Sequence, residues 1–121
     1  MGLTAFDGLI VFCENVATSA RFYEEGLGLR RISAEDDITL ELPTKGNASG
    51  AWLLLHPKKG NDSPHSLGTF AVDDVDSLVE RLRGAGYRIT GEPQDTPWGV
   101  RQADVLDPDG YGLTFTAPVT G

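Results

Sequence analysis

The chain repeats itself. Gly8-Leu9-Ile10-Val11-Phe12-Cys13-Glu14-Asn15-Val16 lines up, 59 positions later, with Leu67-Gly68-Thr69-Phe70-Ala71-Val72-Asp73-Asp74-Val75. Each copy opens on an extended apolar run and closes on a polar pair. A repeat at this interval means that one supersecondary unit is used twice, and 121 residues leave room for two copies and little else.

Each opening run leads into a helix. Asn15 and Asp74 are good first residues for one, because a side-chain oxygen accepts from a backbone N–H that the first turn leaves unpaired. Val75, Leu78, Val79 and Leu82 then recur at helical spacing, with Asp76, Ser77, Glu80, Arg81 and Arg83 pointing elsewhere; Val16, Ser19, Ala20 and Tyr23 match them in the first copy. Gly26 and Gly28, and Gly84 and Gly86, mark the two helix ends. Short strands are expected at 29–33, 38–42 and 51–56, with residues 45–50 as a hairpin loop, and again at 87–91, 100–106 and 112–117. Asp107-Pro108-Asp109-Gly110 makes a sharp turn between the last two. The chain is therefore read as an α+β domain of two tandem βαβββ modules, about 1–57 and 65–121, joined by a polar linker at 58–64.

Composition narrows the functional classes. No apolar run approaches the roughly 18 residues needed to cross a bilayer, and the N-terminus lacks the basic and apolar regions of a secretory signal, so the cytoplasm is the expected location. The formal charge is −8, from 18 acidic and 10 basic residues. That field repels nucleic acid and steers cations inward, or serves solubility alone. The single cysteine, Cys13, reads as a small core hydrophobe rather than a reactive thiol. No Ser-His-Asp order, usable Cys-His pair or phosphate-cradling glycine loop is present.

The local wording resembles a known family. Asn15-Val16-Ala17-Thr18-Ser19-Ala20-Arg21-Phe22-Tyr23 followed by Gly26-Leu27-Gly28-Leu29, Phe70-Ala71-Val72-Asp73-Asp74-Val75-Asp76, Pro97-Trp98-Gly99-Val100-Arg101 and Asp107-Pro108-Asp109-Gly110 are similar, in order, to the signatures of the vicinal oxygen chelate superfamily. That group contains the glyoxalases, bleomycin-resistance proteins and extradiol dioxygenases. The resemblance covers essentially the whole chain. It implies a mixed sheet from both modules curled around a cleft, helices on the outer face, and a homodimer.

It also implies where a catalytic cation would be held: by residues on the first and last strands of each module. Those positions fall at Gly8, Leu54, Leu67 and Thr114. Glycine and leucine have no donor, and a lone neutral hydroxyl is a poor ligand for a divalent ion. His56 and His65 lie two residues from Leu54 and Leu67, and a pair rescued from them would need a carboxylate that residues 112–117 do not supply. No metal and no cofactor are therefore expected.

If Gly8, Leu54 and Leu67 face the cleft, so by alternation do Ile10, Phe12, Trp52, Thr69 and Thr116. Phe12, Asp36, Asp37, Trp52, Leu54, Trp98, Arg101 and Tyr111 are the candidate ligand-binding residues. The resemblance to bleomycin binders suggests an aromatic plate at Trp98 and an acidic run at Glu35-Asp36-Asp37 for a cationic tail, the alternative for the run being a solvated turn. Arg101 is expected to pair with Asp104 or another acid, or to contact an anionic ligand group. The leading expectation is a metal-free protein that sequesters an antibiotic or aromatic metabolite, possessing no nucleic-acid or membrane partner. The alternative is an enzyme of the same fold, a lyase, isomerase or dioxygenase, with unusual metal ligands or none; a module that recognises a protein is a third reading.

Overall fold

The computed structural model describes residues 2–3, 5–34, 37–43, 50–58, 60 and 63–119. It divides into two compact units, Met1–Asp62 and Ser63–Gly121. Each carries a four-stranded mixed sheet, open rather than closed, with one helical segment, so the α+β reading with two tandem modules holds. No helix among the described residues is long and apolar enough to cross a membrane.

In the first unit β1 (Gly8–Cys13) leads into α1 (Val16–Arg21), followed by β2 (Arg30–Ala34), β3 (Ile38–Leu42) and β4 (Ala51–Pro57). The strand order is β1-β4-β3-β2. The helix carries the chain from one edge of the sheet to the other, and the antiparallel meander β2-β3-β4 walks back until β4 lies parallel beside β1. The second unit repeats the route with β5 (Ser66–Ala71), α2 (Val75–Gly84), β6 (Arg88–Asp95), β7 (Val100–Leu106) and β8 (Gly112–Pro118), in the order β5-β8-β7-β6. The hairpin loop expected at 45–50 lies almost wholly outside the described residues, as does part of the linker.

Both helices start as the sequence predicts. The side chain of Asn15 accepts from the Thr18 amide at 3.0 Å, and that of Asp74 from the Ser77 amide at 3.1 Å. The first helix departs from the expected pattern at its end. It widens into a π turn, Phe22–Gly26, which rotates the chain enough to bury both Phe22 and Tyr23, packed edge to face at 4.9 Å. β6 is longer than the expected 87–91 and runs on through Pro93; at a sheet edge, a residue with no N–H and two register shifts are tolerated.

Each sheet buries one face. In the first unit Val11, Cys13, Leu40, Leu42, Ala51, Leu53 and Leu55 are buried with Ala20, Phe22 and Tyr23. In the second, Val75 and Val79 of α2 close on Ala103 and Ala117, with Val72 and Ile89 at the margin. Cys13 is accordingly a core residue, its thiol directed at the Val11 carbonyl. Two clamps fix α2: Arg101 of β7 reaches Asp76 near the start of the helix, and Arg83 near its end reaches Glu92 of β6.

Candidate functional site

Strand alternation leaves the other face of each sheet half exposed. In the first unit that face carries Gly8, Ile10 and Phe12 of β1 and, directly beside them on β4, Trp52, Leu54 and His56. The rows continue onto β3, where Glu41 stands next to Trp52 and Thr39 next to Leu54. The result is an apolar strip with aromatic plates and a polar margin. Ile10, half exposed on an edge strand, shows how much of the strip is accessible.

Two details give this face its chemistry. A Cβ built on Gly8 would fall inside the indole ring and against the carbonyl of Trp52, so the absence of a side chain at position 8 is what lets the indole lie across β1. At the far end of the strip the His56 ring meets Phe12 edge to face, with centroids 5.7 Å apart. His56 Nδ1 is 2.8 Å from the Pro57 carbonyl, and its Nε2 is 3.8 Å from an oxygen of Asp37.

In the second unit the corresponding row runs Thr69, Thr114, Asp104, Gly91. Thr114 donates to Asp104 at 2.6 Å, and a Cβ at Gly91 would collide with the same carboxylate, so Asp104 occupies the space that glycine leaves. Leu67 lies within a register shift between β5 and β8, beside Gly68 with a φ of 124°. Sequence reasoning did not place Asp104 on this face.

The four positions that would carry a cation therefore do not fit one. Gly8 is covered by the indole, Leu54 and Leu67 have no donor atom, and the Thr114 hydroxyl is committed to Asp104. Among the described residues no group of three or more His, Cys, Asp or Glu side chains converges.

Arg101 does not meet Asp104. The two are three residues apart on one strand, hence on opposite faces, and Arg101 lies on the helix side. It binds Asp76 through Nε and Nη2, at 2.6 and 2.9 Å, and Asp95 through Nη1 at 3.0 Å. Both acids hold its guanidinium well above the usual range, and Arg101 in turn holds the Asp76 carboxyl below its own. These groups, with Asp73, Asp74 and Val119, border a hollow of about 410 Å³. The nearby β6–β7 turn is pinned by the Thr96 amide and hydroxyl, both donating to the Val100 carbonyl, and it presents Trp98 at 70% exposure.

Of the remaining sequence candidates, Asp36 lies outside the described residues. Tyr111 is buried, 5% exposed, in the turn where the Asp107 side chain accepts from the amides of Asp109 and Tyr111 at 2.9 Å each. Phe12, Asp37, Trp52 and Leu54 come together in the first unit; Trp98 and Arg101 belong to the second.

Comparison with known proteins identifies the family. The family model described as the Glyoxalase/Bleomycin resistance protein/Dioxygenase superfamily matches residues 5–115. TnmS3, an antibiotic binding protein from Streptomyces sp. CB03234, superposes with a TM-score of 0.77 at 26% identity, over 98% of this chain and 99% of its own. A glyoxalase-related enzyme from Fulvimarina pelagi gives a TM-score of 0.79 at 22% identity, over 95% and 88%. The anthracycline biosynthesis protein DnrV of Streptomyces peucetius is 47% identical over 51 residues, which is 42% of this chain and 18% of that protein.

Proposed function

Because this chain belongs to the Glyoxalase/Bleomycin resistance protein/Dioxygenase superfamily, we propose that it binds a planar aromatic small molecule, an antibiotic or a related metabolite, without a metal. The Trp52 indole laid across Gly8 carries this reading. Where the resemblance places a first-strand metal ligand, this chain presents an aromatic plate flanked by Ile10, Phe12 and Leu54. Such a surface buries a flat ring system and orients it with the few polar groups at its edge. TnmS3 is an antibiotic binding protein and DnrV an anthracycline biosynthesis protein, and both support an antibiotic or a related metabolite as the ligand. The net charge of −8 favours a ligand with a cationic arm, with Asp37 beside His56 at one end of the aromatic strip. Trp98, exposed on the β6–β7 turn, is read as a stacking plate of the second unit. On the family resemblance we read the protein as a cytoplasmic homodimer.

Tryptophan fluorescence against a panel of cationic and aromatic natural products tests the proposal. At least one compound is expected to bind below about 10 μM, an affinity worth roughly 7 kcal/mol. Failure of every compound on a folded sample, or a stoichiometric metal in the purified protein, overturns it.

A further inference from the structure

The His56 ring has only one tautomer available when neutral. Its Nδ1 is 2.8 Å from the Pro57 carbonyl, which can only accept, so Nδ1 carries the hydrogen and Nε2 is left with a lone pair. That lone pair lies on the same sheet face as Trp52 and Leu54, and edge-to-face packing on Phe12 fixes the plane of the ring. The Asp37 carboxylate, 3.8 Å from Nε2, is too distant for a direct hydrogen bond. It acts by charge, favouring a hydrogen placed between it and the ring.

From this geometry we infer that His56 reads a hydroxyl on the bound ring system: an aromatic O–H of the ligand donates to Nε2, and the negative charge of Asp37 nearby makes Nε2 a stronger acceptor. The class of ligand is thereby narrowed from planar aromatics to phenols. The inference rests on reading the Trp52 face as the binding face. His65 is an internal contrast. Its Nδ1 likewise reaches a backbone carbonyl, that of Ser66 at 2.9 Å, but its ring is exposed against Tyr111, and no described carboxylate faces it at ion-pair distance.

The test compares 2-naphthol with 2-methoxynaphthalene, which have the same ring and differ in the hydrogen. Wild type is expected to prefer 2-naphthol by about tenfold, the size of one well-formed hydrogen bond to a polarised acceptor. In His56→Phe the preference should fall to about one while 2-methoxynaphthalene still binds, because the replacement ring keeps the contact with Phe12. Asp37→Asn should reduce the preference only in part. The imidazole ¹⁵N spectrum supplies a readout independent of affinity: 2-naphthol should shift Nε2 of His56 and leave His65 unchanged. An undiminished preference in His56→Phe, or an unmoved Nε2 at saturation, overturns the role of His56. If neither probe binds, the binding face itself is misread and this inference falls with it.

Discussion

Leu53 and Leu54 are neighbours on β4 and point to opposite sides of one sheet, the first fully buried beneath the helix and the second only partly buried, beside Ile10. This division sets a core position and an open-face position one peptide bond apart. Leu53→Ala is expected to cost about 2–5 kcal/mol, the usual range for a cavity in a packed core. Leu54→Ala should cost far less in urea denaturation and yet weaken an aromatic ligand severalfold. A large stability loss from Leu54→Ala would mean that its face is core rather than site.

Gly8→His restores the residue type that a metal site would want, but the indole already fills that space. The expected result is a loss of about 1–3 kcal/mol from overpacking. In a Trp98→Phe background, which leaves Trp52 as the only reporter, the emission should shift to the red. Elemental analysis should find no zinc, nickel or manganese gained.

Arg101 is a brace between α2, β6 and β7. Arg101→Lys keeps the charge but loses the forked contact with Asp76, so the melting temperature should drop almost as far as in Arg101→Ala. Because the site is more than a third open, both drops should be modest and shrink in concentrated salt. Affinity for 2-methoxynaphthalene should not change in either variant; a fall would give Arg101 a direct role toward ligand.

The second unit should be sensitive to acid. Asp74 is held below its ordinary value of 3.8 chiefly by the Ser77 amide, Asp76 below the same value by Arg101, and Glu92 below 4.5 by Arg83. For a carboxyl depressed in the folded state, the unfolded chain takes up its proton first as pH falls. The stabilisation is thus complete above the ordinary values and disappears as pH drops through the depressed ones. Thermal melts should be flat from neutrality down to about pH 5 and fall below that. Asp74→Asn, which copies the uncharged cap used by Asn15, should retain stability at neutral pH and lose less of it in acid.

Much of this was legible in the residues. The duplication, both helix caps, the Asp107 turn and the shared face of Gly8, Phe12, Trp52 and Leu54 come from local rules of period and hydrogen bonding, which need no knowledge of the tertiary fold. The π turn at Phe22 was not legible, since it is tertiary packing that draws two adjacent aromatics into one core. Nor were the partners of Arg101: Asp76 lies 25 residues away on α2, and only the docked helix brings it within reach. Asp104, by contrast, was within reach: the turn at Asp107–Gly110 joins the last two strands as a hairpin, and counting back from it sets Asp104 opposite Thr114.

The indole across Gly8 also constrains descent. A lineage that had lost its first-strand ligand to glycine alone could recover it by a single codon change. Once a tryptophan had grown into the vacated volume, that reversal would require a second substitution at position 52, and the intermediate would be poorer at both tasks. Positions 8 and 52 are thus coupled: a side chain enters at position 8 only together with a smaller residue at position 52.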